Sequence, residues 1–277
     1  MTAPDPLLLA TAVEAVLRAG EIQVSQFGGS LRIDKKGSTD LVTDVDLAVE
    51  HMFRALVTAR FPDHRVLAEE LGEGDRPSRS PYCWVFDPID GTTNYAHGLP
   101  IFCASLALEF EGRPIVAAVY DPTRRELFTA EAGQGARLNG NRIGVSSAAV
   151  LIDALLCTGF PYEVHTSVDE VVGLFGAFVG RARAVRRLGS AALDLCYVAA
   201  GRLDAFWEQG LKPWDTAAAA LIVQEAGGRV TSFSGEDYRS RGRTMVASNG
   251  RLHGDMLDTI RSFYASHGPF RSPNRTF

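Results

Sequence analysis

The 277-residue chain has no excess of basic residues: Lys and Arg number 28 against 33 Asp and Glu, for a formal charge of −5. Without such a surplus the molecule as a whole cannot hold a nucleic-acid backbone through counterion release, so nucleic acid is not expected as its main partner. Cysteine is scarce. Cys83, Cys103, Cys157 and Cys196 form no CxxC pair and no Cys/His run at zinc spacing, which excludes a zinc ribbon or a disulfide scaffold and reads as buried, reduced thiols. Long apolar runs are also missing. The most apolar stretch, residues 217–223, is far shorter than the roughly 18 residues of a membrane span. The apolar residues 7–10 are too few for a secretory leader, and no basic residue precedes Arg18. A cytoplasmic protein with no membrane partner is expected.

What is present suits a folded α/β chain. The hydrophobic content of 46% fills a sizeable core, enough for one large domain or two modest ones. Leu8, Ala12, Ala15, Val16, Ala19 and Ile22 recur on one face of a helix over residues 6–27, which Gly28-Gly29 closes. A second helix begins near Thr43, buries Leu47, Val49, Phe53, Leu56 and Val57, and stops at Phe61-Pro62. Short β-branched or apolar runs over 66–68, 84–86, 102–110 and 115–120 read as strands, followed by a hairpin of 127–130 with 133–138 turning at 132–135. The second half alternates strands near 154–158, 184–188, 204–207 and 245–248 with helices near 168–179, 191–200 and 215–226. Residues 268–277, rich in Pro, Arg and Ser, read as a mobile tail.

The chemistry concentrates in Trp84-Val85-Phe86-Asp87-Pro88-Ile89-Asp90-Gly91-Thr92-Thr93-Asn94, an apolar strand running into two carboxylates. Pro88 is expected to stop the ladder and Gly91 to permit a tight turn, so that Asp87 and Asp90 converge on one point. Converging carboxylates repel unless a cation lies between them, and an oxygen-only set without His or Cys favours magnesium over zinc. Glu69-Glu70, Asp44 and Asp46, and Asp215 stand at the ends of other expected elements. Taken singly each has a plainer reading: a turn at Asp87-Pro88, a helix-dipole partner at Asp44, a helix cap at Asp215, solvated side chains at Glu69-Glu70. The basic run Arg181, Arg183, Arg186 and Arg187 reads as a solvated strand face, and His97 as a loop residue.

Several ordered motifs together resemble the inositol monophosphatase family. They are Asp40-Leu41-Val42-Thr43-Asp44-Val45-Asp46, Ala68-Glu69-Glu70, the segment from Asp87 to Asn94, Gly189-Ser190-Ala191-Ala192, and Trp214-Asp215 leading to Glu225-Ala226-Gly227-Gly228, spread over residues 35–250. The resemblance implies a layered αβαβα sandwich of the inositol monophosphatase and fructose-1,6-bisphosphatase type. It would comprise an α+β part (1–145), an α/β part (146–265) and a flexible tail (266–277). It implies two or three Mg2+ ions, held by Glu69, Asp87, the Ile89 carbonyl, Asp90 and Asp215. Asp46 and Thr92, together with Glu69, would position and deprotonate the attacking water. Asp90, Gly91, Thr92, Thr93, Gly189, Ser190, Ala191 and Glu208 would contact substrate. Asp44 is an extra carboxylate beside Asp46, and Lys35 and Lys36 carry no assigned role. The implied reaction is hydrolysis of a small phosphate monoester by a homodimer, with inositol-1-phosphate the favoured substrate. Histidinol phosphate, fructose-1,6-bisphosphate and adenosine-3′,5′-bisphosphate remain alternatives on the same cradle, and an RNA-related regulatory binding protein is the non-enzyme alternative.

Overall fold

Local signals start and stop the first helices. In the computed structural model, which describes residues 5–29, 33–35, 41–73 and 78–268, α1 (Pro6–Gln26) opens with Pro6 in its first turn and the Asp5 carboxylate accepting from the Leu7 N–H. A two-stranded antiparallel ribbon, β1 (Ile33–Lys35) with β2 (Leu41–Thr43), leads into α2 (Asp44–Arg60). Thr43 caps α2 in a reciprocal box with Asp46. Its buried stripe includes Val49, Phe53 and Val57, whereas Leu47, expected in that stripe, is exposed. Lys36, Asp40 and residues 269–277 lie outside the described residues, and only the backbone of Lys35 is described.

An eight-stranded sheet follows, built from β3 (Arg65–Ala68), β4 (Gly72–Glu73), β5 (Tyr82–Asp90), β6 (Cys103–Phe110), β7 (Arg113–Asp121), β8 (Glu126–Glu131), β9 (Gly135–Leu138) and β10 (Asn141–Arg142), in the order β10-β9-β8-β7-β6-β5-β3-β4. The short helix α3 (Thr92–Ala96) follows β5. A five-stranded sheet, ordered β12-β11-β13-β15-β14, is made of β11 (Leu155–Thr158), β12 (Ala184–Arg186), β13 (Ala205–Gln209), β14 (Arg229–Thr231) and β15 (Thr244–Ser248). Helices α4 (Val168–Val179), α5 (Ala191–Ala199), α6 (Pro213–Glu225) and α7 (His253–His267) accompany it.

Alternation along the strands produces five layers. On β5, Trp84 and Phe86 pack under α1 and α2, while Cys83 and Val85 face the opposite way into a core shared with α5 and α6. The same α5–α6 layer covers one face of the five-stranded sheet through Phe206, Met245 and Ala247. Leu174 and Phe178 of α4 and Met256 and Ile260 of α7 pack on the other face, against Leu156 and Trp207. The order is therefore αβαβα. Helix α6 lies between two sheets with Thr216 to Val223 all buried, which explains its alanine run: small side chains let both sheets approach it.

Three expectations are corrected. Pro88 does not end the ladder: β5 resumes at Asp90, paired with Cys103, after a register shift between Asp87 and Asp90. Residues 266 and 267, expected in the tail, belong to α7, which runs through His267. That helix was not anticipated; it has no side-chain cap at Leu252 to announce it.

Candidate active site

Parallel pairing of β3 with β5 is the first step in building the site. It sets Ala68 opposite Phe86, and the Glu69 N–H donates to the Phe86 carbonyl at 3.2 Å, so the residues next after this last pair, Glu69 and Asp87, emerge side by side. The bulge after Asp87 then turns the chain. The Ile89 N–H donates to Asp87 Oδ1 at 3.0 Å, and the Thr92 hydroxyl donates to the Ile89 carbonyl at 2.9 Å. Gly91 has φ 101°, a left-handed conformation, and a Cβ there would press on the Ile101 carbonyl oxygen.

Two helix N-termini from the second half of the chain close on this turn. At α5, the Ser190 hydroxyl and the Ala192 N–H (2.7 Å) both donate to Asp90 Oδ2, and Ser190 also caps the helix by accepting from the Leu193 N–H. At α6, the Lys212 N–H donates to Asp215 Oδ2 at 2.7 Å, and the Ser105 hydroxyl on β6 donates to the Trp214 carbonyl. Asp46 is buried and accepts from the Thr43 N–H and hydroxyl at 2.8 and 2.6 Å, while neighbouring Asp44 is exposed. His97 ends α3 on the surface with its ring against the Thr93 carbonyl.

Glu69, Asp90 and Asp215 face a cavity of about 200 Å³, with Gly91, Thr93 and the segment Gly189-Ser190-Ala191 around it and Glu208 across from them. Burial pushes the Asp87 carboxyl well above the usual carboxylate range, and the charges of Glu69, Asp90, Asp215 and Asp46 push it further. Burial likewise raises Asp215, reinforced by Glu69 and Asp90, and raises Asp90 against the lowering effect of Ser190 and the α5 backbone. Glu208 is pushed up to about 8 by burial and the nearby Asp194, with Arg187 opposing.

This donor set fits a hard divalent cation. It is all oxygen and like-charged, and in Asp87, Asp90 and Asp215 the hydrogen bonds fall on a single oxygen each. Among the described residues no three His, Cys, Asp or Glu side chains close on one point at ligand distance. Glu69, Asp90 and Asp215 line the cavity instead, while Asp87 is buried and outside its lining.

Comparison with known proteins identifies the family. The sequence model of the inositol monophosphatase family matches residues 6–263. The chain belongs to the inositol monophosphatase family. As a member it is a phosphoric monoester hydrolase. It is 43% identical over 261 residues to the Nus factor SuhB of Pseudomonas aeruginosa, covering 92% of this chain and 96% of that protein. It is 42% identical over 253 residues to the inositol-1-monophosphatase of Synechocystis, covering 91% and 88%. The solved structure of inositol monophosphatase from Anabaena superposes with a TM-score of 0.84 at 37% identity, covering 92% of this chain and 96% of that one.

Two of the family's motif residues are structural clamps. Asn94 donates from Nδ2 to the Ile101 and Leu188 carbonyls at 2.8 and 2.9 Å, tying the turn after β5 to the lead-in of α5. Glu225 accepts the Gly133 and Gly135 N–H groups, both at 2.7 Å, fastening the β8–β9 turn to the end of α6.

The pocket also contains residues the sequence reading passed over. Asp194, a lone buried carboxylate on apolar α5, lines it, as do Gly159 and Lys212. Arg187 is exposed, as the solvated reading of its basic run expects, but it also lines the pocket and lies 5.8 Å from the Phe160 ring centroid, whereas Arg183 pairs outside with Asp153. Gly159 leaves room for Glu208, because a methyl group built there overlaps the Glu208 carboxylate. Gly159→Ala therefore displaces that carboxylate without breaking the backbone. Steady-state kinetics should give a raised KM for a polyol phosphate with kcat largely kept.

Proposed function

We propose that the protein hydrolyses a small phosphate monoester with two or three Mg2+ ions, and that inositol-1-phosphate, converted to myo-inositol and phosphate, is its favoured substrate. One observation carries this reading: Glu69, Asp87, Asp90 and Asp215, from three separate segments of the chain, form one like-charged, oxygen-only set beside a cavity, buried at Asp87 and Asp90 and half-buried at Glu69 and Asp215. Those four carboxylates and the Ile89 carbonyl would hold the ions. When bound, magnesium supplies charge neutralisation for the phosphate oxygens and a lowered pKa for the attacking water.

The protein's own groups do the rest. Asp46, with Thr92 and Glu69, would orient that water and take its proton; as the water oxygen bonds to phosphorus the bond to the alcohol oxygen breaks, and the departing alkoxide takes a proton from water. The N–H groups of Gly91, Thr92 and Thr93 point donors at the phosphate. Helix α3 is only five residues long, so these local donors matter more than its dipole. Across the cavity Glu208 accepts from hydroxyls of the leaving alcohol. The Ser190 hydroxyl is already committed to Asp90, so Gly189, Ser190 and Ala191 meet the alcohol through their backbone. Free, buried thiols at all four cysteines fit the reducing cytoplasm. Among the described residues no helix is long and apolar enough to cross a membrane. Val168, Val172 and Val179, exposed along α4, give a homodimer an apolar face, which sedimentation would test.

The test is phosphate release with magnesium, with and without excess EDTA, from inositol-1-phosphate, histidinol phosphate, fructose-1,6-bisphosphate and adenosine-3′,5′-bisphosphate. Metal-dependent turnover favouring inositol-1-phosphate is expected. A different favourite would keep the mechanism and change the substrate, and no release from any of them would remove the enzymatic reading. Glu208→Ala should raise KM for inositol-1-phosphate by on the order of 10-fold or more, the effect of losing a buried acceptor for a substrate hydroxyl; an unchanged KM would remove Glu208 from the alcohol site.

The relative named as a Nus factor supports a second reading, RNA-related regulation, and weighs against the expectation that nucleic acid is no partner. Salt-sensitive RNA binding retained by a phosphatase-dead Asp90→Asn variant would establish it.

A further inference from the structure

The turn that carries Glu69 is not held by the sheet alone. β3 and β4 pair through Leu67 with Glu73 and Ala68 with Gly72, which leaves Glu69, Glu70 and Leu71 as the turn between them. Of these three, only Glu69 has its N–H taken by a strand, on the Phe86 carbonyl. The other two N–H groups go to one side chain. Glu50 on α2, fully buried, accepts the Glu70 N–H on Oε2 at 2.9 Å and the Leu71 N–H on Oε1 at 3.1 Å. One helical turn along, Arg54 donates from Nε to Glu50 Oε1 at 2.7 Å, and its guanidinium also reaches the Gly72 carbonyl. Asp46, Glu50 and Arg54 recur at intervals of four residues, so one face of α2 presents all three toward the site and the turn.

Burying a carboxylate costs several kcal/mol unless its oxygens are satisfied, and here they are satisfied by the turn and by Arg54. We propose that Glu50, braced by Arg54, is a positioning residue that clamps the Glu69–Leu71 turn and so holds the Glu69 carboxylate toward the magnesium site. This rests on the reading of Glu69 as a magnesium ligand. Glu50 touches neither substrate nor the reacting atoms. It acts through the conformational freedom it removes from Glu69, and loss of such an outer partner typically costs 10–100-fold in metal affinity.

Glu50→Gln keeps the volume but turns an amide NH2 toward N–H donors. Calorimetric titration of Mg2+ into substrate-free wild type, Glu50→Gln, Glu69→Gln and the double variant, alongside phosphate release against magnesium concentration, tests the proposal. For Glu50→Gln the magnesium Kd and the half-saturating magnesium should rise about 10–100-fold, with kcat at saturating magnesium retained. The double variant should bind no more weakly than Glu69→Gln alone, because both changes act through one carboxylate. An unchanged magnesium Kd in Glu50→Gln, even with a lowered melting temperature, overturns the proposal, and so do effects that multiply in the double variant. If Glu50→Gln does not fold, Arg54→Gln, which removes the brace and leaves the carboxylate, enters the same cycle with the same expectations. Wild type that binds no magnesium overturns the ligand reading itself, a result visible before any variant is compared.

Discussion

Asp90→Asn should lose magnesium binding and phosphate release together, with activity falling by at least on the order of 10²–10³-fold. Asp90 Oδ2 is the acceptor for the Ser190 hydroxyl and the Ala192 N–H, with the Cys103 thiol also near it. It thereby ties the N-terminus of α5 to the end of β5. An asparagine that turns its oxygen to these donors directs its NH2 toward the cation side, where a donor cannot coordinate. One that turns the other way sets NH2 against the Ala192 N–H and leaves that donor unpaired in a buried place, at about 1–3 kcal/mol. Either orientation removes a negative charge from the set around the cavity. Calorimetric magnesium titration and phosphate release on the same sample check the result, and full activity with normal magnesium affinity would remove Asp90 from the site.

Without metal, the folded protein should lose stability as pH rises from about 4 through 8, and magnesium should restore most of it at the upper end. Asp87, Asp90 and Asp215 are all raised above the usual aspartate value, chiefly by burial, and Glu208 is raised to about 8. A carboxyl whose folded pKa exceeds its unfolded pKa keeps its proton in the native state after the unfolded chain has released it. Between the two values the native state binds more protons, so stability falls with rising pH, and above the folded pKa the full loss is in place. For Glu208 that window runs from about 4.5 to about 8. Thermal unfolding in EDTA at a series of pH values measures the effect, at roughly 2–4 °C of melting temperature per kcal/mol for a chain of this size class. Added magnesium binds only the folded, deprotonated set and should flatten the slope. A melting temperature that climbs with pH in EDTA would contradict the crowding of carboxylates described above.

Much of the fold was legible because its signals are local. Apolar repeats announce α1 and α2, Phe61-Pro62 stops the latter, and the β8–β9 hairpin turns where its glycines stand. The metal-ligand candidates were legible for a different reason: Asp87 to Asn94 and Trp214-Asp215 are ordered motifs of a recognisable family, and no periodicity would have singled them out. Asp194, Gly159 and Arg187 were not legible, because each matters only through what lies across the pocket from it. The outward turn of Leu47 was hidden as well, since a helical repeat shows which residues share a face but not how far the sheet beneath extends.

The sequence by itself determined the kinds of chemistry available: carboxylates without histidine or cysteine ligands, a glycine turn after an apolar strand, and free thiols in place of disulfides. Only the tertiary structure decided that these carboxylates come within reach of one another's charge. Parallel pairing of β3 with β5 places Glu69 beside Asp87, and packing of α5 and α6 between two sheets points Ser190 at Asp90 and carries Asp215 to the same cavity. No local preference draws four like charges together, since each repels the others. What assembles them is the non-local burial of two sheets and two shared helices, which no stretch of sequence can express alone.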